Sequence, residues 1–129
     1  AVTEIESIAD SCNNLARAIK RRNEGKGEFT ESLNHNMDQM FAIVDQALQQ
    51  MNVILHKPEA VHDDINVSYN VENEINNYRN QLKIKNMEDV NNKAYDYQVG
   101  VYYMDMVAEC EKLGDYVLNV VQAVIEKKI

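Results

Sequence analysis

The last third of the chain carries the pattern that most restricts its fold. Its apolar residues recur at steps of three and four, namely Val99, Tyr103, Met106, Cys110, Leu113, Val117, Val120 and Val124. Such steps keep side chains on one face of an α-helix, and a face of this length is typical of an antiparallel bundle. The whole chain holds only four Gly and one Pro, so few residues would interrupt long helices.

The same spacing predicts three helices upstream. The first is expected to close at the basic run 20–22, where cations suit the helix dipole, and 23–27 breaks the pattern. Thr30 is predicted to cap the second helix, which ends near Pro58. The polar stretch 85–92 is predicted to form the turn after the third helix. The predicted core residues are Ile5, Ile8, Cys12, Leu15 and Ile19 in the first helix, Leu33, Met37, Met40, Phe41, Val44, Leu48, Met51 and Leu55 in the second, and Val67, Val71, Ile75, Tyr78 and Leu82 in the third.

The predicted fold class is therefore all-α, an antiparallel bundle of four long helices. A chain of 129 residues suits one domain. No stretch approaches the roughly 18 apolar residues that a membrane span needs, and no signal peptide is visible. Cys12 and Cys110 give no metal-ligand spacing and are expected to act as small buried hydrophobes in a reducing compartment.

The charge balance limits the partners of the chain. Its net charge is −8 and its isoelectric point is about 4.8. This charge disfavours nucleic acid or an anionic membrane surface as the main partner. It suits cations or a basic protein surface.

One sequence motif, called the repeated phrase below, occurs twice, within residues 2–18 and again within 107–123. The shared part reads E-x-E-x-(I/L)-(A/G)-D-x-x-x-N. A repeat that keeps acids and small residues, as well as hydrophobes, indicates a repeated site and not only a repeated fold. The polar residues that recur four apart are Glu6, Asp10 and Asn14 in the first copy, and Glu111, Asp115 and Asn119 in the second.

Each trio forms a ladder of oxygen ligands on one helix face, beside the apolar seam. Like charges at this spacing repel by about 0.2–0.5 kcal/mol per pair, and a cation between two ladders would relieve this. Hard oxygen ligands suit Mg, Mn, Ca or ferric ions. The small residues Ala9 and Gly114 would let another backbone or an ion come close, and Glu72 or Glu74 could add a ligand. The alternative is that these acids form solvated surfaces.

The phrase Glu111-Lys-Leu-Gly-Asp115-Tyr-Val-Leu-Asn119 resembles the signature of the PhoU family, typically L-E-R-I-G-D-x-x-x-N-I. Residues 6–14 resemble a second copy. Val71-Glu-Asn-Glu-Ile75 resembles the D/E-x-x-I-D stretch of the family's middle helix, with Asn76 in place of the usual acid. PhoU proteins consist of two three-helix repeats. The resemblance therefore implies that the first helix closes one repeat, that the other three form the next, and that 1–129 is a single domain from a longer chain.

Within the family, the chain looks most similar to the C-terminal cytoplasmic domain of bacterial sodium/phosphate cotransporters. That implies a non-catalytic regulatory role at the cytoplasmic side of the inner membrane, as part of a membrane protein. The implied partner is the transporter membrane domain, in the same or another chain, with no membrane insertion of this segment.

Some family members bind metal clusters through these acidic motifs. Carried over residue by residue, the implied ligands for divalent or ferric ions are Glu6, Asp10, Glu111 and Asp115. Asn14 and Asn119 would support the ligands rather than bind the metal.

The sequence leaves three other functional interpretations open. A stand-alone PhoU-type regulator of phosphate uptake would share all these features. A metal-dependent hydrolase could use the acidic pairs, but such enzymes usually place His, Lys or a general base near the metals, and the sequence places none clearly. A purely structural helical adaptor would need the acids only for solubility. A homodimer is also expected, because a truncated repeat leaves bundle faces uncovered.

Overall fold

In the computed structural model, which describes residues 2–24, 29–58 and 62–128, the chain forms four α-helices. They are α1 (Val2–Asn23), α2 (Glu31–His56), α3 (His62–Asn91) and α4 (Tyr97–Lys128). No strand occurs in the described residues, so the prediction of an all-α four-helix bundle is confirmed. Of these helices, none is both long and apolar enough to cross a bilayer.

The central element is α4, which packs against each of the other three helices. The helices α2 and α3 also pack against each other, whereas the backbone of α1 comes close to that of α4 alone. A hydrogen bond from Arg22 to Asn34, 3.3 Å long, links the end of α1 to α2. The fold is therefore a three-helix unit, α2–α4, with α1 added to one side of α4.

Side-chain contacts fix the direction of the helices. At one end of the α3–α4 pair, Gln122 donates a hydrogen bond to the Tyr69 hydroxyl at 2.7 Å. At the other end, Asn86 lies against Gly100. These two helices are thus antiparallel, as expected for neighbours joined by a short connection.

The core confirms the predicted pattern of α4. All of its predicted core residues are buried except Val99 and Val124, which are half-buried. Val107, Val121 and Ile125 are buried as well, although the pattern did not include them. The reason is that α4 is covered by three helices and not by one, so more than one stripe of it faces the interior.

Four predicted core residues are exposed instead, namely Ile5, Cys12, Leu55 and Val67. In α1 and α3, Ser11 (2% exposed) and Ser68 (6% exposed) lie in the interior beside the residues expected there. One residue rotates the side chain by about 100°, so a shift of one position changes which face is buried. Since only α4 covers α1, its buried stripe is narrow and centred on Leu15.

The prediction of a turn at 85–92 is wrong, because α3 continues to Asn91. Side-chain contacts, one from beyond the helix and one within it, hold this polar segment helical. The Tyr95 hydroxyl donates a hydrogen bond to Asn86 Oδ1 at 2.6 Å, and Lys85 forms an ion pair with Asp89 at 3.1 Å within the helix.

Predictions for the ends of α2 are confirmed. The Thr30 hydroxyl accepts a hydrogen bond from the Leu33 N–H at 3.2 Å, which makes it the N-cap. The helix ends at His56, two residues before Pro58. As predicted, α1 ends just after the basic run, at Asn23. Residues 25–27 of the predicted break lie outside the described residues.

The end of α3 is closed by Lys93, whose φ is +59°, in the left-handed region. The Ala94 N–H donates to the Asp89 carbonyl at 2.9 Å, and the Lys93 N–H donates to the Val90 carbonyl at 3.1 Å. This pair of bonds is a Schellman motif, in which glycine is the favoured residue at the left-handed position.

Lys93→Gly should therefore stabilise the fold by about 0.5–1 kcal/mol, because glycine adopts positive φ without the steric penalty of a Cβ. Urea unfolding followed by circular dichroism would measure this gain. The matched control is Lys83→Gly inside α3, which should instead destabilise by about 1 kcal/mol. A loss of stability in Lys93→Gly would contradict the assigned backbone conformation.

Candidate functional site

The acidic ladder of α4 faces α3. Glu111 Oε2 lies 2.8 Å from Arg79 Nε, and the two side chains are 25% and 30% exposed, respectively. The contact is an ion pair without an aligned hydrogen bond from that nitrogen. Because both side chains are partly withdrawn from water, this pair is screened less than a fully exposed one.

One turn further along α4, the exposed Asp115 lies beside Glu72 of α3. Partial burial of its carboxyl group raises the pKa of Asp115 from 3.8 to about 6, and hydrogen bonding and the negative charge of Glu72 add to the rise. The charge of Glu111 also raises the pKa, while Arg79 lowers it. We call Glu72, Arg79, Glu111 and Asp115 the α3–α4 acidic cluster.

Helix packing is unusually close beside this cluster, at Gly114. A Cβ placed on Gly114 would lie 2.9 Å from Cδ1 of Ile75, which is itself buried. The close neighbour at Gly114 is thus an isoleucine side chain, whereas the sequence predicted another backbone or an ion there. Ala9, the counterpart of Gly114, is exposed on α1 and does not serve this close packing. The small residue therefore brings α3 and α4 together only in the second copy of the phrase.

The first copy of the ladder lies elsewhere. Glu6 and Asp10 are exposed on α1, and Asn14 donates a 3.2 Å hydrogen bond to Glu109 Oε1 on α4. Asn119, at the end of the second ladder, is exposed. The structure thus does not bring together the two ladders that were predicted to hold a cation between them.

In the part of the chain that the structure describes, no group of three or more His, Cys, Asp or Glu side chains has an arrangement that could hold a metal ion. These residues do not fit one metal centre shared by all four predicted ligands. A further obstacle is that Arg79 already neutralises Glu111. Metal binding by either acidic pair on its own stays a prediction.

Arg79 is the cluster residue that sequence reasoning missed. Asn76 Nδ2 donates to Glu72 Oε1 at 2.7 Å, so this amide holds one of the cluster's acids in place. A signal was present, since Glu72, Asn76 and Arg79 are spaced to share one face of α3. As a whole, the cluster can hold a proton between the carboxyl groups of Glu72 and Asp115, while the guanidinium of Arg79 balances the charge of Glu111.

The raised pKa of Asp115 predicts a pH-dependent effect of Asp115→Asn. Folding favours the protonated acid, so this stabilising contribution is full below about pH 4 and is lost as the pH rises through about 6. Asparagine stays neutral and avoids repulsion from two acidic neighbours. The variant should therefore be more stable than the native chain by about 0.5–1 kcal/mol at pH 7.

Urea unfolding at pH 4 and at pH 7 would test this difference. The advantage of Asp115→Asn should disappear at pH 4, where the native carboxyl is protonated too. Glu126→Gln, an exposed acid on the same helix, serves as the control and should show no such pH dependence. Equal effects at the two pH values would show that Asp115 is not coupled to its acidic neighbours.

Comparison with known proteins identifies no relative of the chain. No protein-family model matches it, and no curated protein or solved structure matches it significantly. The functional argument therefore depends on the residues of this chain and on their arrangement.

Proposed function

We propose that the chain is a non-catalytic, PhoU-like regulatory domain associated with sodium-coupled phosphate transport, on the cytoplasmic side of the inner membrane. The observation that carries the proposal is where the repeated phrase falls in the fold. Its two copies lie on α1 and α4, which pack against each other, and α4 closes the three-helix unit α2–α4. This architecture is what one complete three-helix repeat, preceded by the last helix of another, would form.

The charge of the chain supports a membrane-protein partner. Cytoplasmic loops of membrane proteins carry an excess of Lys and Arg. A domain with a net charge of −8 is attracted to such loops, and attraction of this kind speeds association and selects the partner. The proposed partner is therefore the basic cytoplasmic face of a transporter membrane domain, in the same chain or in another.

Phosphate uptake in cells tests the role directly. Cells that lack the native gene would receive the full gene in its native form or with Glu72→Lys and Asp115→Lys, which reverse charge in the α3–α4 acidic cluster. We expect the native gene to reduce sodium-dependent uptake of radioactive phosphate when phosphate is abundant, and the variant to lose this reduction. The control carries Glu88→Lys and Glu126→Lys, two exposed acids outside the cluster.

Uptake that is unaffected by deletion of the gene would overturn the proposal. Immunoblots must show equal protein amounts, so that loss of folding is not mistaken for loss of regulation. Fractionation of the same cells distinguishes a domain of the transporter chain from a stand-alone regulator. A domain of the transporter chain stays with the membrane after a high-salt wash. A stand-alone regulator would be released by that wash.

Metal content separates the regulatory role from a hydrolase. Elemental analysis of protein purified without chelator would show whether a divalent or ferric ion is retained. Two double variants then locate the ligands of a retained ion. Loss of the ion in Glu111→Gln with Asp115→Asn would assign its ligands to α4. Loss of the ion in Glu6→Gln with Asp10→Asn would assign them to α1. Phosphatase turnover with added Mn or Mg, abolished by either pair, would replace the regulatory proposal with an enzymatic one.

A further inference from the structure

The outer face of α1 is acidic in its first half and basic in its second. Glu6, Asp10, Arg17 and Arg21 are all exposed. The first three lie on the side of the helix away from the buried Leu15. Arg21 lies at the edge of that side, where it lines a small cavity with Tyr102 and Asp105 of α4. Successive members are four, seven and four residues apart, which keeps them on one face. Among the described residues, none of these four takes part in an ion pair.

This arrangement is unfavourable in an isolated copy. Glu6 and Asp10 are like charges at a spacing of four, as are Arg17 and Arg21, and each such pair repels across one helical turn. The two halves are too far apart along the helix to pair with each other. The helix dipole does not explain the pattern, because its effect falls off within the first and last turns. Asp10 and Arg17 lie more than one turn inside α1.

The pattern is symmetric about the segment 13–14. Glu6 and Arg21 are equally far from that midpoint, and so are Asp10 and Arg17. Two helices that cross antiparallel about a two-fold axis at this midpoint would place every acid opposite a base. Such self-complementarity is the property that a two-fold symmetric interface requires.

We propose that two copies of the chain associate through the outer faces of their α1 helices, antiparallel, with the two-fold axis at 13–14. Glu6 then faces the partner's Arg21, and Asp10 faces the partner's Arg17, so that four ion pairs form across the interface. The inference specifies where the expected homodimer forms, and it does not depend on the proposed function.

On one side of the charged row, toward the buried stripe, α1 exposes apolar residues, of which only Ile5 is large. The exposed residues there are Ile5, Ala9, Cys12 and Ala16. The axial distance between packed helices, about 8–10 Å, depends on the side chains at the contact. The alanines therefore allow the partner helix to approach closely enough for the charged rows to meet, and Ile5, which is 49% exposed, would be covered.

Charge-swapped variants test the pairing. In the acidic variant, Arg17→Glu and Arg21→Glu make the whole face negative, and in the basic variant, Glu6→Arg and Asp10→Arg make it positive. Sedimentation equilibrium at low salt should show that the native chain dimerises and that each variant alone is monomeric. An equimolar mixture of the two variants should form a heterodimer.

Salt and a matched control complete the experiment. Raising NaCl from 20 to 300 mM should weaken the native dimer by about tenfold, since exposed ion pairs are modest and screened. Lys83→Glu with Lys93→Glu changes the net charge as much as the acidic variant does, at exposed positions outside α1, and should still dimerise. A native chain that stays monomeric at low salt, or variants that fail to pair when mixed, would overturn the proposal.

A cross-link tests the register. In a Cys12→Ser background, Asn13→Cys places two thiols about 1.5 Å apart along the helix axis, because each lies half a residue from the two-fold axis. Mild oxidation should yield a covalent dimer. Ser32→Cys in the same background, an exposed position on α2, should not. Equal cross-linking at both positions would show that contact is random.

Discussion

Replacing Leu113 with Ala should lower the free energy of unfolding by about 3 kcal/mol, whereas Ile8→Ala should lower it by about 1 kcal/mol. The two residues occupy the same position of the repeated phrase. Leu113 is 1% exposed, in a helix that packs against three others, so its removal leaves a cavity. Ile8 is only half-buried, in a helix that packs against one, so part of its apolar surface already faces water.

Urea unfolding of both variants would measure the two losses. Similar slopes against urea concentration would show that the native fold is retained, because the slope follows the surface exposed on unfolding. Ala108→Gly, at an exposed position of α4, controls for helix propensity and should cost about 1 kcal/mol. Equal losses at Leu113 and Ile8 would mean that the two copies of the phrase are packed alike, against the observed fold.

The fold was predictable because its strongest signal is local. The spacing of apolar residues in α4 needs no knowledge of the neighbours, and Thr30 and Pro58 act on the ends of their own helix. The end of α3 was not predictable from composition. Its last two turns are polar, and they are held helical by Tyr95 and Gly100, which follow later in the chain.

The candidate site was predictable in its three acids, Glu111 and Asp115 on α4 and Glu72 on α3, but not in Arg79. Glu111 and Asp115 do lie beside the core, but their partner Arg79 is set by the contact between α3 and α4. The ladder of α1 has the same sequence pattern and a different environment, because only α4 covers that helix. The repeated phrase thus specifies the same helical face twice. The number of neighbouring helices decides whether the acids on that face are exposed or contact another helix.

The cysteines should differ by a factor of about 10³ or more in their rate of reaction with a disulfide reagent at pH 8. Cys12 is exposed, contrary to the prediction that it would be buried, while Cys110 is buried as predicted. Burial raises the pKa of the Cys110 thiol to about 12, and the charge of Glu109 adds to the rise. At pH 8 only about one Cys110 in 10⁴ would be the reactive thiolate, even if reagent could reach it.

The measurement uses 300 mM salt, which weakens the proposed α1 dimer, and protein dilute enough for sedimentation to show a monomer, so that Cys12 is accessible. Cys12→Ser should remove the fast reaction and leave the slow one, and Cys110→Ala should do the reverse. Since reagent reaches Cys110 only when the core opens, the slow rate reports that opening equilibrium. Leu113→Ala should then speed the labelling of Cys110 by about 100-fold, the factor that about 3 kcal/mol corresponds to. An unchanged rate would mean that Cys110 is reached by a local motion that leaves the packing around Leu113 intact.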